Sequence, residues 1–376
     1  MYQISLDRAP VGVKTNPVFL TPPDSNWKVV RSVAHSTLAR VIATRLLAPA
    51  APVALALVLG ACAADYYPQH AMEPKSDFAH TINDLFWQII YWSIVVFVLV
   101  EALLVFALIR FRRRPGQPLP VQVHGNTRLE IAWTLVPAVI LAWIAVPTVR
   151  TIFATQAPPD PQALQVRAIG HQWWFEFHYP QLNITTASDL WIPANRKIDV
   201  ALESVDVIHS FWPPKLGGKR DMVPGHVNRI SFTPQVPGLY WGECAEFCGA
   251  AHANMGFRVV VAEPQAFDRW VKDMQRPPAP NMANPVVRKG QTAFLASGCI
   301  ACHTIAGTPA QGKIGPNLTY FGRRHTIAAG MMPNTPQNLE KWLRDPPGIK
   351  PNVVMPKLPL TDETVQALVA YLESLK

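Results

Sequence analysis

Two long uncharged runs dominate the hydrophobic pattern of this 376-residue chain. Leu85–Ile109 is 25 residues with a single charge, Glu101. At about 1.5 Å per residue a helix of that length spans roughly 37 Å, enough to cross a bilayer with some tilt. Arg110, Arg112, Arg113 and Arg114 follow at once. Ile131–Val149 is a second uncharged run, of 19 residues, with Trp133 and Trp143 near its ends. Its Pro137 and Pro147 are tolerable because a neighbouring helix can satisfy the backbone groups they free. The pattern predicts a hairpin of helices at about 82–110 and 129–152. Its short arginine-rich loop is expected in the cytoplasm, with the flanking segments outside. A shorter apolar run, residues 46–61, follows Arg31, Arg40 and Arg45 in the layout of a secretory signal. It ends Leu59-Gly60-Ala61-Cys62, which resembles a bacterial lipobox, so Cys62 is the expected lipid anchor. The alternative is a plain signal peptide with an incidental cysteine.

Beyond Arg150 the pattern changes twice. Short β-rich runs (Leu164–Ile169, Trp173–Tyr179, Lys197–Glu203, Val227–Phe232, Gly256–Val261) are separated by Gly/Pro turns, the mark of a sandwich or barrel. An amphipathic stretch, Gln265–Gln275, then leads into Arg-Pro-Pro-Ala-Pro-Asn, a stiff linker. Helical periodicity returns from Pro285, at Val286–Ala296 and at Asp362–Leu375. The expected divisions are a leader and signal over 1–61, the hairpin over 62–158, an all-β domain over 159–262, a linker over 263–284 and an all-α domain over 285–376. The fold class is therefore a multidomain membrane protein.

Charge and cysteine usage narrow the chemistry. The net charge is +9, but the 37 prolines argue against an all-helical protein. Residues 1–61 carry +4, residues 160–262 carry −1 and residues 285–376 carry +5. A basic excess confined to a leader and one terminal domain does not describe a nucleic-acid-binding surface. The five cysteines are Cys62 and two close pairs, each pair followed by histidine at ligand spacing. That spacing favours metal and haem over a disulfide framework.

The first pair lies in Cys244-Ala-Glu-Phe-Cys248-Gly-Ala-Ala-His252-Ala-Asn-Met255. Soft sulfur with imidazole suits copper, and His209 lies 35 residues upstream. One cysteine suffices for a mononuclear blue-copper site, so the second thiolate points to a copper pair bridged by Cys244 and Cys248. His252, Met255, His209 and the backbone carbonyl of Glu246 complete the expected ligands. Zinc is the rival, although Met255 is a poor zinc ligand. The second pair lies in Cys299-Ile300-Ala301-Cys302-His303, a c-type haem attachment sequence. Cys299 and Cys302 are expected to hold the porphyrin and His303 the iron. A methionine is the expected sixth ligand. Met355 is preferred over Met331 and Met332, and His325 is the weaker alternative.

These residues, with Val205–Trp212, Leu216–Gly225, Gly170-His-Gln-Trp-Trp-Phe175 and Glu130–Pro137, make residues 75–262 resemble subunit II of haem–copper cytochrome c oxidases. The resemblance implies a two-helix hairpin bearing a cupredoxin domain with a binuclear CuA centre. The C-terminal part resembles a class I cytochrome c, in which Pro316 supports the proximal histidine. It further implies that the Glu246 carboxylate reaches a magnesium shared with subunit I and that Trp173 is the surface tryptophan where electrons enter. Two residues depart from the commonest pattern: Trp174 stands where tyrosine is frequent and Phe175 where tryptophan is frequent. Arg220 and Asp221 fall in a loop expected to face subunit I. Glu130 matches a carboxylate at a proton-path entrance, and Glu101 is expected to contact a partner subunit.

The function so implied is subunit II of a respiratory oxidase with a fused cytochrome c, the caa-type arrangement, in the bacterial cytoplasmic membrane. Electrons from a periplasmic donor, such as a bc complex or soluble cytochrome c, would pass through haem c and CuA to subunit I, which with subunit III completes the complex and reduces O₂. No catalytic residue is expected in this chain itself. The alternatives are a nitric oxide reductase subunit and a free lipid-anchored electron carrier.

Overall fold

The computed structural model describes residues 68–376 apart from Leu119, Pro120 and Ala157. Cys62 and the leader over 1–61 therefore lie outside the described residues. The two apolar runs form helices α1 (Asp77–Arg110) and α2 (Thr127–Thr155). Both begin earlier than predicted. Ser76 caps α1 by accepting from the Ala79 amide, and Asn126 caps α2 by accepting from Arg128 and Leu129. A hydrophobicity pattern does not register such polar first turns. The side chains of Leu99, Leu103, Leu135 and Leu141 are exposed along the two helices, an apolar exterior that a bilayer would solvate.

The polar start of α1 is tied to the β domain. Asp77 Oδ1 accepts from the Thr233 amide at 2.7 Å. Lys75 N donates to Lys215 O at 2.7 Å, and Gln235 N donates to Lys75 O at 2.8 Å. Phe78 is buried with the β-domain core. The membrane helix thus continues directly from the sandwich.

Ten strands form that sandwich: β1 (Leu164–His171), β2 (Trp174–Tyr179), β3 (Ile184–Ala187), β4 (Asp189–Pro193), β5 (Ile198–Ser204), β6 (His209–Trp212), β7 (Arg220–Met222), β8 (Asn228–Phe232), β9 (Gly238–Cys244) and β10 (Gly256–Ala262). One sheet has the order β3-β2-β1-β5-β8 and the other β4-β10-β9-β6-β7. The five predicted strands correspond to β1, β2, β5, β8 and β10. The strands not predicted are short or interrupted: β9 contains two glycines, and β6 and β7 have four and three residues. Arg220 and Asp221 lie in β7, not in a loop. The core between the sheets is aromatic. Phe175, Phe177, Phe211 and Phe257 have no exposed surface, and the Phe211 and Phe257 rings stack at 4.8 Å. Phe175, unusual for its motif, is there a packing residue.

The amphipathic stretch at the head of the expected linker forms α3 (Pro264–Met274). It buries Phe267, Trp270 and Met274 against the sandwich, and Trp270 stacks on Trp191 at 5.5 Å. Only the short segment after it connects to the last domain. That domain contains α4 (Pro285–Ala296), a two-residue ladder of β11 (Thr326–Ile327) and β12 (Met332–Pro333), α5 (Pro336–Arg344), α6 (Pro346–Ile349) and α7 (Asp362–Glu373). Helices α4 and α7 cross at Gly290, where an added Cβ would lie 1.9 Å from the Ala367 carbonyl oxygen. Gly290→Ala should therefore destabilise this domain by about 1–3 kcal/mol through overpacking, measurable as a lowered urea midpoint.

The last domain is held to the sandwich by paired polar groups. His325 N donates to Asp189 Oδ2 at 2.7 Å, and the His325 ring nitrogen Nδ1 lies 3.1 Å from the same oxygen. The Asp189 hydrogen bond raises the His325 pKa. His325, exposed as a surface residue, thus also links the two domains. Arg258 donates to Gly330 O at 2.8 Å, Gly256 N to Ala329 O at 2.9 Å, and Tyr320 OH to Arg276 O at 2.9 Å.

Candidate metal centre and haem cavity

Strand ends and one hairpin gather the sulfur-rich loop. His209 opens β6, Cys244 closes β9, and β10 starts at Gly256, one residue after Met255. The loop is closed at its base by Cys244 N donating to Met255 O at 2.9 Å and by Ala245 N donating to Ser210 O at 3.1 Å. Within it the thiols of Cys244 and Cys248 approach to 3.7 Å without a disulfide. His209 Nδ1 is 3.9 Å from Cys244 Sγ, and the Glu246 carbonyl oxygen is 3.2 Å from it. His252 Nδ1 is 3.5 Å from Cys248 Sγ, and Met255 Sδ is 3.8 Å from it. The donors thus divide into two halves around the thiol pair, each half holding one imidazole and one weaker ligand. Two thiols, two imidazoles and a thioether fit a soft metal such as copper.

The hydrogen bond from the Cys248 thiol, with His209, pulls the Cys244 thiol down, while the same contact pushes Cys248 up, so it is Cys244 that readily supplies thiolate, the ligating form. His209 Nε2 bonds Asp206 Oδ1 at 2.7 Å, which turns Nδ1 toward the sulfurs and fixes the ring. Room for that ring requires Gly170, where a Cβ would sit 2.7 Å from His209 Cδ2. Asp206 and Gly170 carry no ligand signature, and only their spacing to His209 in a folded sheet gives them a role. The Glu246 side chain is exposed, as is the neighbouring Phe247 ring.

The second pair opens a cavity of about 190 Å³. Cys299, Cys302, His303, Pro316, Met355 and Trp342 are among its lining residues. His303 Nδ1 donates to the Pro316 carbonyl at 2.8 Å, leaving Nε2 as the lone-pair nitrogen, and burial lowers the His303 pKa. A neutral imidazole beside two free thiols and a thioether is the donor chemistry that an attached haem requires. Met331 and Met332 are not among the cavity's lining residues.

Trp173 and Trp174 line the same cavity from the sandwich side. Trp173 is only 8% exposed, packed with the sandwich core and facing the cavity. The expectation of a surface tryptophan is corrected on this point. Its indole Nε1 donates to the Cys248 carbonyl at 2.9 Å, and Gln172 Nε2 reaches the same oxygen at 2.8 Å. Trp174 stacks on His171 at 4.1 Å. At the other end of α2, Glu130 Oε1 accepts from the Asn126 amide at 3.3 Å, a local capping contact. Glu101 is exposed on α1.

An apolar helical hairpin continuous with a β-sandwich that carries a thiol-rich loop, followed by a helical domain with a haem-attachment cavity, defines an electron-handling subunit of a membrane oxidase. The comparisons agree with that class. Residues 65–151 match the family Cytochrome C oxidase subunit II, transmembrane domain. Residues 183–262 match Cytochrome C oxidase subunit II, periplasmic domain, and residues 287–376 match Cytochrome c. The chain is 39% identical over 316 residues to cytochrome c oxidase subunit 2 of Alkalihalophilus pseudofirmus, covering 81% of this chain and 90% of that one. It is 40% identical over 286 residues to the subunit 2 of Bacillus sp. strain PS3, covering 71% and 80%. The periplasmic domain of subunit II of the Bradyrhizobium japonicum oxidase is 30% identical over 31% of this chain and 96% of that chain, with a TM-score of 0.30. The chain belongs to the cytochrome c oxidase subunit II family, with a cytochrome c domain at its C-terminal end. It is a membrane protein with its folded domains on the outer side.

Proposed function

We propose that this chain relays electrons from a covalently held haem c to a binuclear copper centre and on to the oxygen-reducing subunit I. The observation that carries the reading is the two-sided donor set around Cys244 and Cys248. A mononuclear site would leave one thiol, one imidazole and one weak ligand without a role. When bound, the copper pair supplies a one-electron store whose charge is spread over two ions. The chain's own part is to present thiolates, to orient His209 through Asp206 and to exclude water with the aromatic core beneath the loop. Cys299 and Cys302 would hold the haem by thioethers, and His303 and Met355 would supply its iron ligands.

The exposed Glu246 supports a role at the boundary with subunit I, its carbonyl toward copper and its carboxylate toward a magnesium held jointly. Glu130 is assigned to the proton-path entrance, alongside its capping of α2. Cys62 is assigned to the lipid anchor. Subunit III is a further expected neighbour, and a bc complex or soluble cytochrome c the expected donor. The test is copper analysis and electron paramagnetic resonance of the purified chain. Two coppers per chain, with hyperfine structure from an electron shared by both nuclei, are expected. One copper with the splitting of a single nucleus would overturn the binuclear assignment. Copurification with a large haem-bearing subunit distinguishes the oxidase role from that of a free carrier.

A further inference from the structure

Lys350 is the most unusual charged side chain in the interface between the two folded domains. It follows α6 and precedes Met355 by five residues, and it lines the cavity that also holds His303 and Met355. Only 2% of it is exposed. Its Nζ donates to the backbone carbonyl of Trp173, in the other domain, at 2.6 Å. Burying an ammonium on few partners is costly, and burial pushes this one down to about 7. The carbonyl it holds belongs to the residue whose indole bonds Cys248 at 2.9 Å. Behind it, Gln172 N donates to Asp206 Oδ2 at 2.7 Å, and Asp206 in turn holds His209. Of the polar contacts between the domains, this one has a side chain that lines the cavity and also bonds the segment leading to the copper loop.

We infer that Lys350 is a positioning residue for electron transfer, registering the haem cavity on the Gln172–Trp173 segment so that one path of bonds runs from the cavity wall to Cys248. The inference rests on the relay function proposed above. Its geometric content is separate: removing the ammonium releases the Trp173 carbonyl and loosens the indole from the copper loop. Lysine suits the position because a single flexible stem delivers a point charge to one carbonyl.

The test compares the full-length protein with Lys350→Met and Lys350→Arg, taking Lys357→Met, an exposed lysine of the same segment, as the control. Two readouts are needed. One is hydroxyl-radical footprinting of Trp173 in protein prepared without copper. The other is the haem-to-copper transfer rate after rapid photoreduction of the loaded protein. With Lys350→Met, labelling of Trp173 should rise severalfold and transfer should slow by about tenfold or more, as misplacement of reacting centres does. Arginine should restore much of both, and the control should change neither. If the Met variant does not fold, Lys350→Ala, which also removes the donor to the Trp173 carbonyl, carries the same expectations. Unchanged labelling and unchanged transfer, with haem and copper spectra intact, would overturn the inference. Missing haem or copper signals in the unaltered protein would instead refute the relay reading, while the footprinting result would still decide the role of Lys350.

Discussion

Cys248→Ser is expected to remove the copper centre while leaving the haem domain loaded. Cys248 Sγ lies within 3.8 Å of Cys244 Sγ, His252 Nδ1 and Met255 Sδ, so it is the donor on which the set converges. A serine hydroxyl is a hard donor that stays protonated at neutral pH, and it cannot bridge soft ions as a thiolate does. Copper content should fall to near zero, and oxygen consumption of the complex should fall on the order of a hundredfold or more, beyond the 10–100-fold typical of losing an outer-shell partner. Haem c should still be reduced by an added donor, because its attachment residues Cys299, Cys302 and His303 lie in a different domain. A variant that kept both copper and turnover would sink the assignment of Cys248 as a ligand. Equal loss of haem would point to general misfolding.

Met355→Ala is expected to lower the haem potential and to abolish the sulfur–iron absorption band. Met355 lines the cavity with His303, whereas Met331 and Met332 do not. Thioether ligation raises haem potentials, and axial ligands move them over about 0.8 V in all. A drop of roughly 0.1–0.3 V is therefore expected, measured by redox titration of the visible haem bands. The haem would then be a stronger reductant toward copper but a poor acceptor, so turnover with a high-potential donor should slow. A retained band and potential would move the sixth ligand elsewhere and would require the 350–356 segment to serve packing alone.

Both candidate sites could be proposed from the sequence because most of their chemistry is local. Cys244–Met255 and Cys299–His303 each hold most of their expected ligands within a dozen residues, with His209 and Met355 farther along the chain, and two uncharged runs were enough to mark the hairpin. What lay hidden depends on residues far apart in the chain. The Asp189–His325 pair joins positions separated by 136 residues, and Lys350 meets Trp173 across 177. Pattern and spacing carry no such information. The strands missed by periodicity, β3, β4, β6, β7 and β9, are short or glycine-bearing and are held by their neighbours rather than by alternation. The first turns of α1 and α2 went unseen because capping residues are polar. Trp173 is the instructive miss. Its motif resembles that of an exposed entry residue in a protein whose donor arrives from solution, and here it is buried in the sandwich core and faces a domain of the same chain across the cavity.

That buried tryptophan has a consequence for competition. The attached domain faces Trp173 across the shared cavity at an effective concentration of the millimolar order set by its short tether. A freely diffusing carrier of ordinary micromolar abundance would be displaced from the Trp173 face nearly all the time. Excess soluble carrier should then not saturate or inhibit transfer at Trp173, but should act only by reducing the resident haem. Cleavage in the connecting segment would convert the same surface into an open receptor, with kinetics that depend on carrier concentration.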